Sequence, residues 1–183
     1  ARYELGTLLL GSGRRGQAIG HFRLARAVNP DFPEVLHNMA VSLLAGGDID
    51  GAVDHYQQAL RADPDFLEAH YNLASVLAAS GRWPAAVEHF RKVLAIDTDS
   101  VEAMNNLAWI FATCPDEQVR DPANGLQLAQ RAADLTDHAN VSILDTLGAA
   151  HASAGQFDHA IATARRALTM AHDAGHTALA EQI

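Results

Sequence analysis

Cysteine is almost absent from this sequence, which contains only Cys114 among its 183 residues. A single cysteine cannot form an internal disulfide, so a disulfide-stapled secreted domain is excluded. No Cys-x-x-Cys pair and no cysteine–histidine cluster has zinc-finger spacing, which excludes a structural zinc module. The composition is compatible with a reducing compartment, and we expect a cytoplasmic protein.

Basic residues are also scarce. The 13 lysines and arginines stand against 22 aspartates and glutamates, for a formal net charge of −9. Because no basic stripe is available to neutralise phosphates, we expect no nucleic-acid binding. A surface with this excess of acid favours a neutral or basic partner.

Long apolar runs are missing as well. None approaches the ~18 residues needed to span a bilayer, and the N-terminus has no basic stretch followed by an apolar core, so we expect no membrane insertion. Since 49% of the residues are hydrophobic and 19% are charged, the sequence predicts a soluble folded chain with a sizeable core. It begins at Ala1, already inside an amphipathic pattern, and is interpreted as a fragment of a longer protein.

Catalytic and metal-binding motifs are missing too. The sequence has no nucleophile elbow, no Gly-rich phosphate loop and no His-Glu-x-x-His pattern. Among the ten histidines, His172 and His176 are four residues apart, but Gly175 lies between them and no third ligand is in register. We therefore expect no enzymatic activity, no metal site and no cofactor.

The chain does contain a strong internal repeat of 34 residues. An Asp-x-x-Glu segment begins at each of Asp31, Asp65 and Asp99. Other columns in the same register hold a glycine, an alanine, an aromatic residue and a histidine: Gly13, Gly47 and Gly81; Ala18, Ala52 and Ala86; Phe22, Tyr56 and Phe90; His21, His55 and His89. Five columns in one register indicate a repeat architecture.

Each repeat is predicted to be a pair of helices, because its apolar residues recur at helical spacing. Met39 and Leu43 share one face of a first helix, and Tyr56 and Ala59 share one face of a second. The predicted first helices run over 1–12, 32–46, 66–80, 100–113 and 139–154. The predicted second helices run over 15–28, 49–62, 83–96, 122–136 and 157–173.

Turn residues support these boundaries. The aspartates that open the Asp-x-x-Glu segments are predicted N-caps, and the glutamates Glu34, Glu68 and Glu102 would complete capping boxes worth about 1 kcal/mol each. The repeated glycines are predicted to adopt the left-handed conformation after each first helix, and Pro30 and Pro64 to follow the second helices.

A period of 34 residues with these positions resembles the tetratricopeptide repeat (TPR) family. The resemblance covers essentially the whole chain and rests on three features. These are an alanine followed four residues later by an aromatic, a closing proline, and a small residue in each first helix: Gly6, Ala40, Ala74, Ala108 and Gly148. It implies an all-α fold, a right-handed TPR superhelix of about five helix pairs.

The repeats are expected to form a single solenoid domain over 1–183. Its units would be 1–30, 31–64, 65–98, 99–137 and 138–173, and 176–183 is predicted to start a partial C-terminal capping helix. The fourth unit carries five extra residues, placed in a loop over 114–122, after which Asp121 and Pro122 are predicted to restart the second helix. The closing units resemble those of many bacterial TPR proteins.

Asparagine recurs once per repeat at Asn38, Asn72 and Asn106, directly before a core residue. The TPR resemblance implies that first helices line a concave groove, and the asparagine row resembles the ladder in the TPR superhelix of O-linked N-acetylglucosamine transferases. A carboxamide both donates and accepts, so it can pair with an extended peptide backbone. The same side chains can instead hydrogen-bond neighbouring repeats, and the sequence leaves both roles open.

Four further residues lie beside this row and are predicted to contact a peptide: His37, Tyr71, Asn105 and Trp109. Tyr3 occupies the equivalent position in the first unit. Aromatic and amide groups in a groove suit a peptide of modest specificity. For Trp109, packing against the next repeat is the alternative interpretation.

The sequence therefore predicts a protein–protein interaction module that binds a peptide or a partner protein in its concave groove. Two alternatives remain open. In the first, the chain is the substrate-recognition arm of a larger enzyme such as a glycosyltransferase. In the second, it is a scaffold that assembles through self-association.

Overall fold

The computed structural model describes residues 1–173, and within that range the chain is entirely helical, with no β-strand. Ten helices give about five helix pairs. Their bounds are α1 Arg2–Gly11, α2 Arg15–Val28, α3 Pro33–Leu44, α4 Ile49–Ala62, α5 Leu67–Ala79, α6 Trp83–Ile96, α7 Val101–Thr113, α8 Pro122–Leu135, α9 Val141–Ser153 and α10 Phe157–Asp173. Every bound lies within two residues of the prediction, and the predicted cap at 176–183 lies outside the described residues.

The chain divides into two compact units, Ala1–Ser80 and Gly81–Ile183. In the first, α1 packs on α2 and α3 on α4, while α2 and α4 also contact the next first helix, α3 and α5 respectively. In the second, α7 packs on α8 and α9 on α10, while α6 and α8 contact α7 and α9. The second helices α2, α4 and α8 thus bury one side against their own partner and another against the following first helix.

Small residues allow the close approach within a pair. Gly6 is buried against Phe22, whose ring is fully buried, and a Cβ atom at position 6 would lie only 2.6 Å from Phe22 Cε1. Ala40, Ala74 and Ala108 at the equivalent positions are likewise fully buried. The predicted requirement for a small residue at this position is confirmed, because any larger side chain would overlap the aromatic residue that fills the pair.

The turns between paired helices are closed by glycine as predicted. Gly13, Gly47, Gly81 and Gly155 have φ values between 73° and 86°. This left-handed conformation is costly for residues with a Cβ atom, which explains why glycine recurs there. The fourth turn differs, since the longer connection from Cys114 to Asp121 replaces it.

That connection restarts the helix as predicted. Asp121 is the N-cap of α8, its carboxylate accepts from the backbone N–H of Asn124 at 3.2 Å, and Pro122 follows in the first turn. The backbone N–H of Asp121 also donates to the carbonyl of Phe111 at 3.1 Å, which closes the loop onto α7.

The predicted capping boxes at Asp31, Asp65 and Asp99 are wrong. The N-caps of α3, α5 and α7 are Phe32, Phe66 and Ser100, and none of them caps through its side chain.

Aromatic packing accompanies the displacement at α3 and α5, while α7 begins after Ser100 without such a contact. The ring of Phe32 lies 5.2 Å from that of Tyr3, and the ring of Phe66 lies 5.3 Å from that of His37, so these contacts hold extended residues directly before the helices. Asp65 instead belongs to the preceding turn, where its backbone N–H donates to Asp63 Oδ1 at 3.1 Å.

Side-chain capping occurs at other helices. Asp48 caps α4 by accepting from the backbone N–H of Gly51 at 2.9 Å, and Asn140 caps α9 by accepting from Ser142 and Ile143.

The buried close approach at Gly6 gives a first prediction. Gly6→Ala should destabilise the protein by about 1 kcal/mol, because the overlap with Phe22 outweighs the gain in helix propensity. Gly20→Ala is the matched control, since Gly20 lies in α2 with no atom within 4 Å of an added Cβ. We expect this control to stabilise by about 0.5–1 kcal/mol. Urea unfolding followed by circular dichroism measures both, and stabilisation by both substitutions would contradict the packing argument.

The revised capping assignment gives a second prediction. Asp48→Ala should lower the free energy of unfolding by about 1 kcal/mol, because it removes the acceptor at the start of α4. Asp31→Ala should change it by less than about 0.5 kcal/mol, because Asp31 is exposed and caps no helix. If urea titrations gave equal losses of the free energy of unfolding for Asp48→Ala and Asp31→Ala, Asp31 would be a helix cap after all.

Candidate functional site

The first rung of the predicted asparagine row joins two repeats. Asn38, half-buried on α3, donates through Nδ2 to the hydroxyl of Tyr3 at 3.3 Å and approaches the hydroxyl of Thr7 at 3.5 Å. Both partners lie on α1, the first helix of the preceding repeat. The neighbouring His37 side chain also interacts with that of Asn38, so the carboxamide has partners on α1 and on its own helix.

The second rung has the same arrangement with a different partner. Asn72 on α5 donates through Nδ2 to His37 Nε2 on α3 at 2.8 Å. Because the amide nitrogen donates, His37 accepts at Nε2 and carries its proton at Nδ1. No described residue donates to the Oδ1 atom of Asn72.

Aromatic neighbours fix the orientation of His37. Its ring centroid lies 5.6 Å from that of Tyr56 and 5.3 Å from that of Phe66. Burial lowers the pKa of His37 below its usual value of 6.5, against smaller opposing contributions from the hydrogen bond with Asn38 and the charge of Glu68. The neutral imidazole that Asn72 requires is therefore favoured at neutral pH.

Tyr71 is half-buried on α5, immediately before Asn72, and its backbone carbonyl accepts from the Ser75 hydroxyl at 2.9 Å. The first unit thus holds His37, Asn38, Tyr71 and Asn72 on two successive first helices.

The second unit holds the other three predicted residues, all on α7. Asn106 is half-buried directly before the core residue Leu107. Asn105 is half-buried, and its Oδ1 atom is inaccessible to solvent and has no hydrogen-bond partner. An unpaired buried acceptor of this kind carries a desolvation cost.

Trp109 lies one helical turn after Asn105 and is 43% exposed. It is the largest side chain among the exposed hydrophobic residues of the described chain. Asn105 and Trp109 are four residues apart on one helix, so an amide acceptor and an indole surface lie on the same face of α7.

Three further features concern metal ligands, membrane-spanning helices and the single cysteine. Residues 1–173 contain no group of three or more histidine, cysteine or acidic side chains placed to hold a metal ion, and His176 lies outside the described residues. No helix in the described range is both long and apolar enough to cross a membrane. Cys114 is a buried free thiol at the end of α7.

A cavity of about 520 Å³ lies in the first unit, formed by α2, α3 and α4, and was not predicted from the sequence. Its lining includes Arg23, Arg26 and His55, none of which belongs to the asparagine row. The recurrence of arginine at positions 23 and 91, two repeats apart, is the feature of the sequence that could have pointed to this cavity.

The chain was compared with known proteins. Residues 37–101 match a family model described as tetratricopeptide repeat. No curated protein sequence gives a significant match to the chain.

Solved structures with similar folds have low sequence identity to this chain. MamA from Desulfovibrio magneticus RS-1 is 20% identical with a TM-score of 0.81, over 94% of this chain and 94% of that one. YrrB, a TPR protein with an unusual peptide-binding site, is 14% identical with a TM-score of 0.81, over 100% of this chain and 91% of that one. PilF from Pseudomonas aeruginosa is 17% identical with a TM-score of 0.74, over 100% of this chain and 86% of that one.

These solved structures have the same fold as this chain. The chain has the tetratricopeptide repeat fold, and its segment 37–101 belongs to the tetratricopeptide repeat family.

Proposed function

We propose that this chain is a protein-interaction module that holds an extended peptide of a partner protein along its first helices, through Asn38, Asn72 and Asn106. His37, Tyr71, Asn105 and Trp109 would contact the same peptide. The chain would act by binding and would not itself be an enzyme.

The observation that carries this proposal is the way in which Asn38 and Asn72 are held. Each amide donates through Nδ2 to the preceding repeat, at 3.3 Å to Tyr3 and 2.8 Å to His37, which orients the carboxamide. The Oδ1 atom of Asn72 then remains as an acceptor for a backbone N–H of a peptide. The structural role and the binding role therefore use different atoms of one side chain.

The second unit adds one supporting feature, the exposed Trp109, which offers an apolar surface one turn after Asn105. Aromatic residues beside amides are typical of peptide-binding surfaces, because they bury area with little loss of side-chain entropy. The peptide-binding site reported for YrrB is a precedent for this function in a chain with the same fold.

The two alternative functions differ in whether this surface binds a peptide. The recognition arm of a larger enzyme would use it to hold a substrate protein and would pass the same binding test. A self-assembling scaffold would leave it without a peptide ligand.

A peptide-display selection tests the proposal. Peptides should be enriched on the parent chain, and a variant with Asn38→Ala, Asn72→Ala and Asn106→Ala should bind them at least tenfold more weakly, because about 0.5–1.5 kcal/mol is lost with each hydrogen bond. Asn29→Ala is the matched control, since Asn29 is exposed at the end of α2 and makes no side-chain hydrogen bond to a described residue. Circular dichroism and thermal melting would verify that both variants remain folded.

Two outcomes would contradict the proposal. Enrichment that survives in the folded triple variant would make the asparagine row purely structural. The absence of any enriched peptide would remove peptide binding as the function of this face.

A pH titration of peptide binding gives a further prediction. Protonated His37 has no acceptor for Asn72, so protonation should release the amide that is proposed to hold the peptide. Because burial lowers the pKa of His37, affinity should be constant between pH 8 and pH 7 and should fall at pH values below its usual 6.5. Stability should fall in the same direction, since the unfolded chain takes up this proton more readily than the folded chain, by at most about 1.4 kcal/mol per pH unit.

His37→Gln separates this effect from other titrations. The glutamine oxygen can accept from Asn72 but does not titrate, so the variant should bind with an affinity that is independent of pH over the same range. The measurement is calorimetry with a selected peptide that carries no titratable group. An unchanged pH dependence in the glutamine variant would rule out His37 as the responsible group.

A further inference from the structure

A cavity of about 520 Å³ lies among α2, α3 and α4 in the first unit, away from the asparagine row. Ile19, Ala27 and Leu43 contribute apolar surface to its lining, and Arg23 and Arg26 contribute nitrogen donors. Its volume is typical of ligand-binding pockets, which are mostly apolar with a few polar groups that fix orientation.

The positive charges of this cavity have no acidic partner. Its lining contains no carboxylate. Arg23 is exposed and makes no hydrogen bond or ion pair with any described residue, while Arg26 Nη2 donates to the neutral amide oxygen of Gln58 at 2.8 Å. Two uncompensated guanidinium groups beside apolar surface favour a ligand that carries both acidic and apolar groups.

His55 contributes ring surface to this lining. Its Nδ1 atom lies 2.9 Å from the carbonyl of Gly51, an acceptor, so Nδ1 carries the proton. The other ring nitrogen, Nε2, is inaccessible to solvent and therefore out of reach of a ligand in the cavity. The two arginines are thus the groups that can bind a polar ligand here.

The second unit supplies an internal comparison. Arg91, Leu107 and Phe111 stand 68 residues after Arg23, Met39 and Leu43, and they line a cavity of about 400 Å³ among α6, α7 and α8. There one guanidinium group has an acidic partner. Arg131 is ion-paired with Asp99 at 2.7 Å, while Arg91 lies over the ring of Phe111 at 5.7 Å. In the first unit, neither Arg23 nor Arg26 forms an ion pair with a described residue.

A second cavity of about 640 Å³ lies beside the first. It shares Arg26 and Pro30 with the first and adds Arg61, with Asp31 as the one carboxylate of its lining. Both cavities are lined by residues of α2, α3 and α4, and together they are called the cleft. The hydrogen bond between Arg26 and Gln58 joins α2 to α4 within this cleft, and an extended segment of several residues can contact both cavities.

We propose that this cleft binds a short acidic segment of a partner protein, with an aliphatic or aromatic side chain in the 520 Å³ cavity and carboxylates on Arg23 and Arg26. The site is independent of the asparagine row and can fail or succeed separately from it. The chain as a whole has a net charge of −9, so an acidic segment is repelled by the rest of the surface and is directed to this cluster of arginines.

The test is isothermal titration calorimetry with an acetylated, amidated probe peptide, Glu-Asp-Leu-Phe-Glu-Asp, at low salt. The parent chain should bind this peptide and should not bind the neutral version, Gln-Asn-Leu-Phe-Gln-Asn. Arg23→Glu should weaken binding at least tenfold, since it replaces attraction by repulsion at an exposed position of α2. Arg165→Glu is the matched control with the same change in net charge at an exposed position of α10, and it should change the affinity less than twofold.

A second variant probes the apolar part of the cleft without changing any charge. Ala27 is exposed on the cavity wall, so Ala27→Trp should fill the cavity while leaving the core intact, and it should weaken binding at least tenfold. The triple asparagine variant should bind the acidic probe as the parent does, which separates this site from the proposed peptide groove. Circular dichroism would verify that all variants are folded.

Four results would overturn the proposal. The first is that the acidic peptide does not bind at millimolar concentration, and the second is that Arg23→Glu and Arg165→Glu weaken its binding equally. The third is that the Ala27→Trp variant binds the peptide as tightly as the parent does. The fourth is that the triple asparagine variant no longer binds it. Binding of 4-phenylbutyrate in the absence of peptide binding would assign the cavity to a small amphipathic anion and would also overturn it.

Discussion

The close approach of the two helices in each repeat is the constraint on which the other features depend. A helix pair can bury its aromatic residue only if the facing position is small, as Gly6 is against Phe22. The second helix then has a further apolar side that one pair cannot cover, and the next first helix covers it. Packing within the pair and packing between repeats are therefore coupled, and both fix the 34-residue period.

This period determines which polar side chains can meet. Asn38 and Asn72 occupy the same position in successive repeats, and each reaches back to a residue 35 positions earlier, Tyr3 and His37 respectively. The partners differ in chemistry, a phenol hydroxyl and an imidazole, but both accept from an amide nitrogen. The same geometry therefore uses the amide nitrogen in both repeats, and the proposed peptide binding depends on the amide oxygen that Asn72 keeps without a donor.

The local charge around a binding site can differ in sign from the net charge of the chain. The excess of acidic residues favours a neutral or basic partner for the surface as a whole, but Arg23 and Arg26 form a local exception beside an apolar cavity. Exposed charges separated by more than about 8–10 Å are largely screened at physiological salt, so a local cluster can attract a ligand that the average surface repels. In the cavity of the second unit, Arg131 is instead ion-paired with Asp99.

The sequence by itself determined the helices, the glycine turns and the restart at Asp121, because each depends on residues close together in the chain. Local pattern failed at Asp31, Asp65 and Asp99, where the Asp-x-x-Glu spacing imitates a capping box. Contacts of Phe32 with Tyr3 and of Phe66 with His37 decide where the helices begin, and these join different repeats. Only the tertiary structure decided which atoms of the asparagine row are used and which arginines lack a partner, because those partners are about 35 residues away in sequence and are brought close by the packing of repeats.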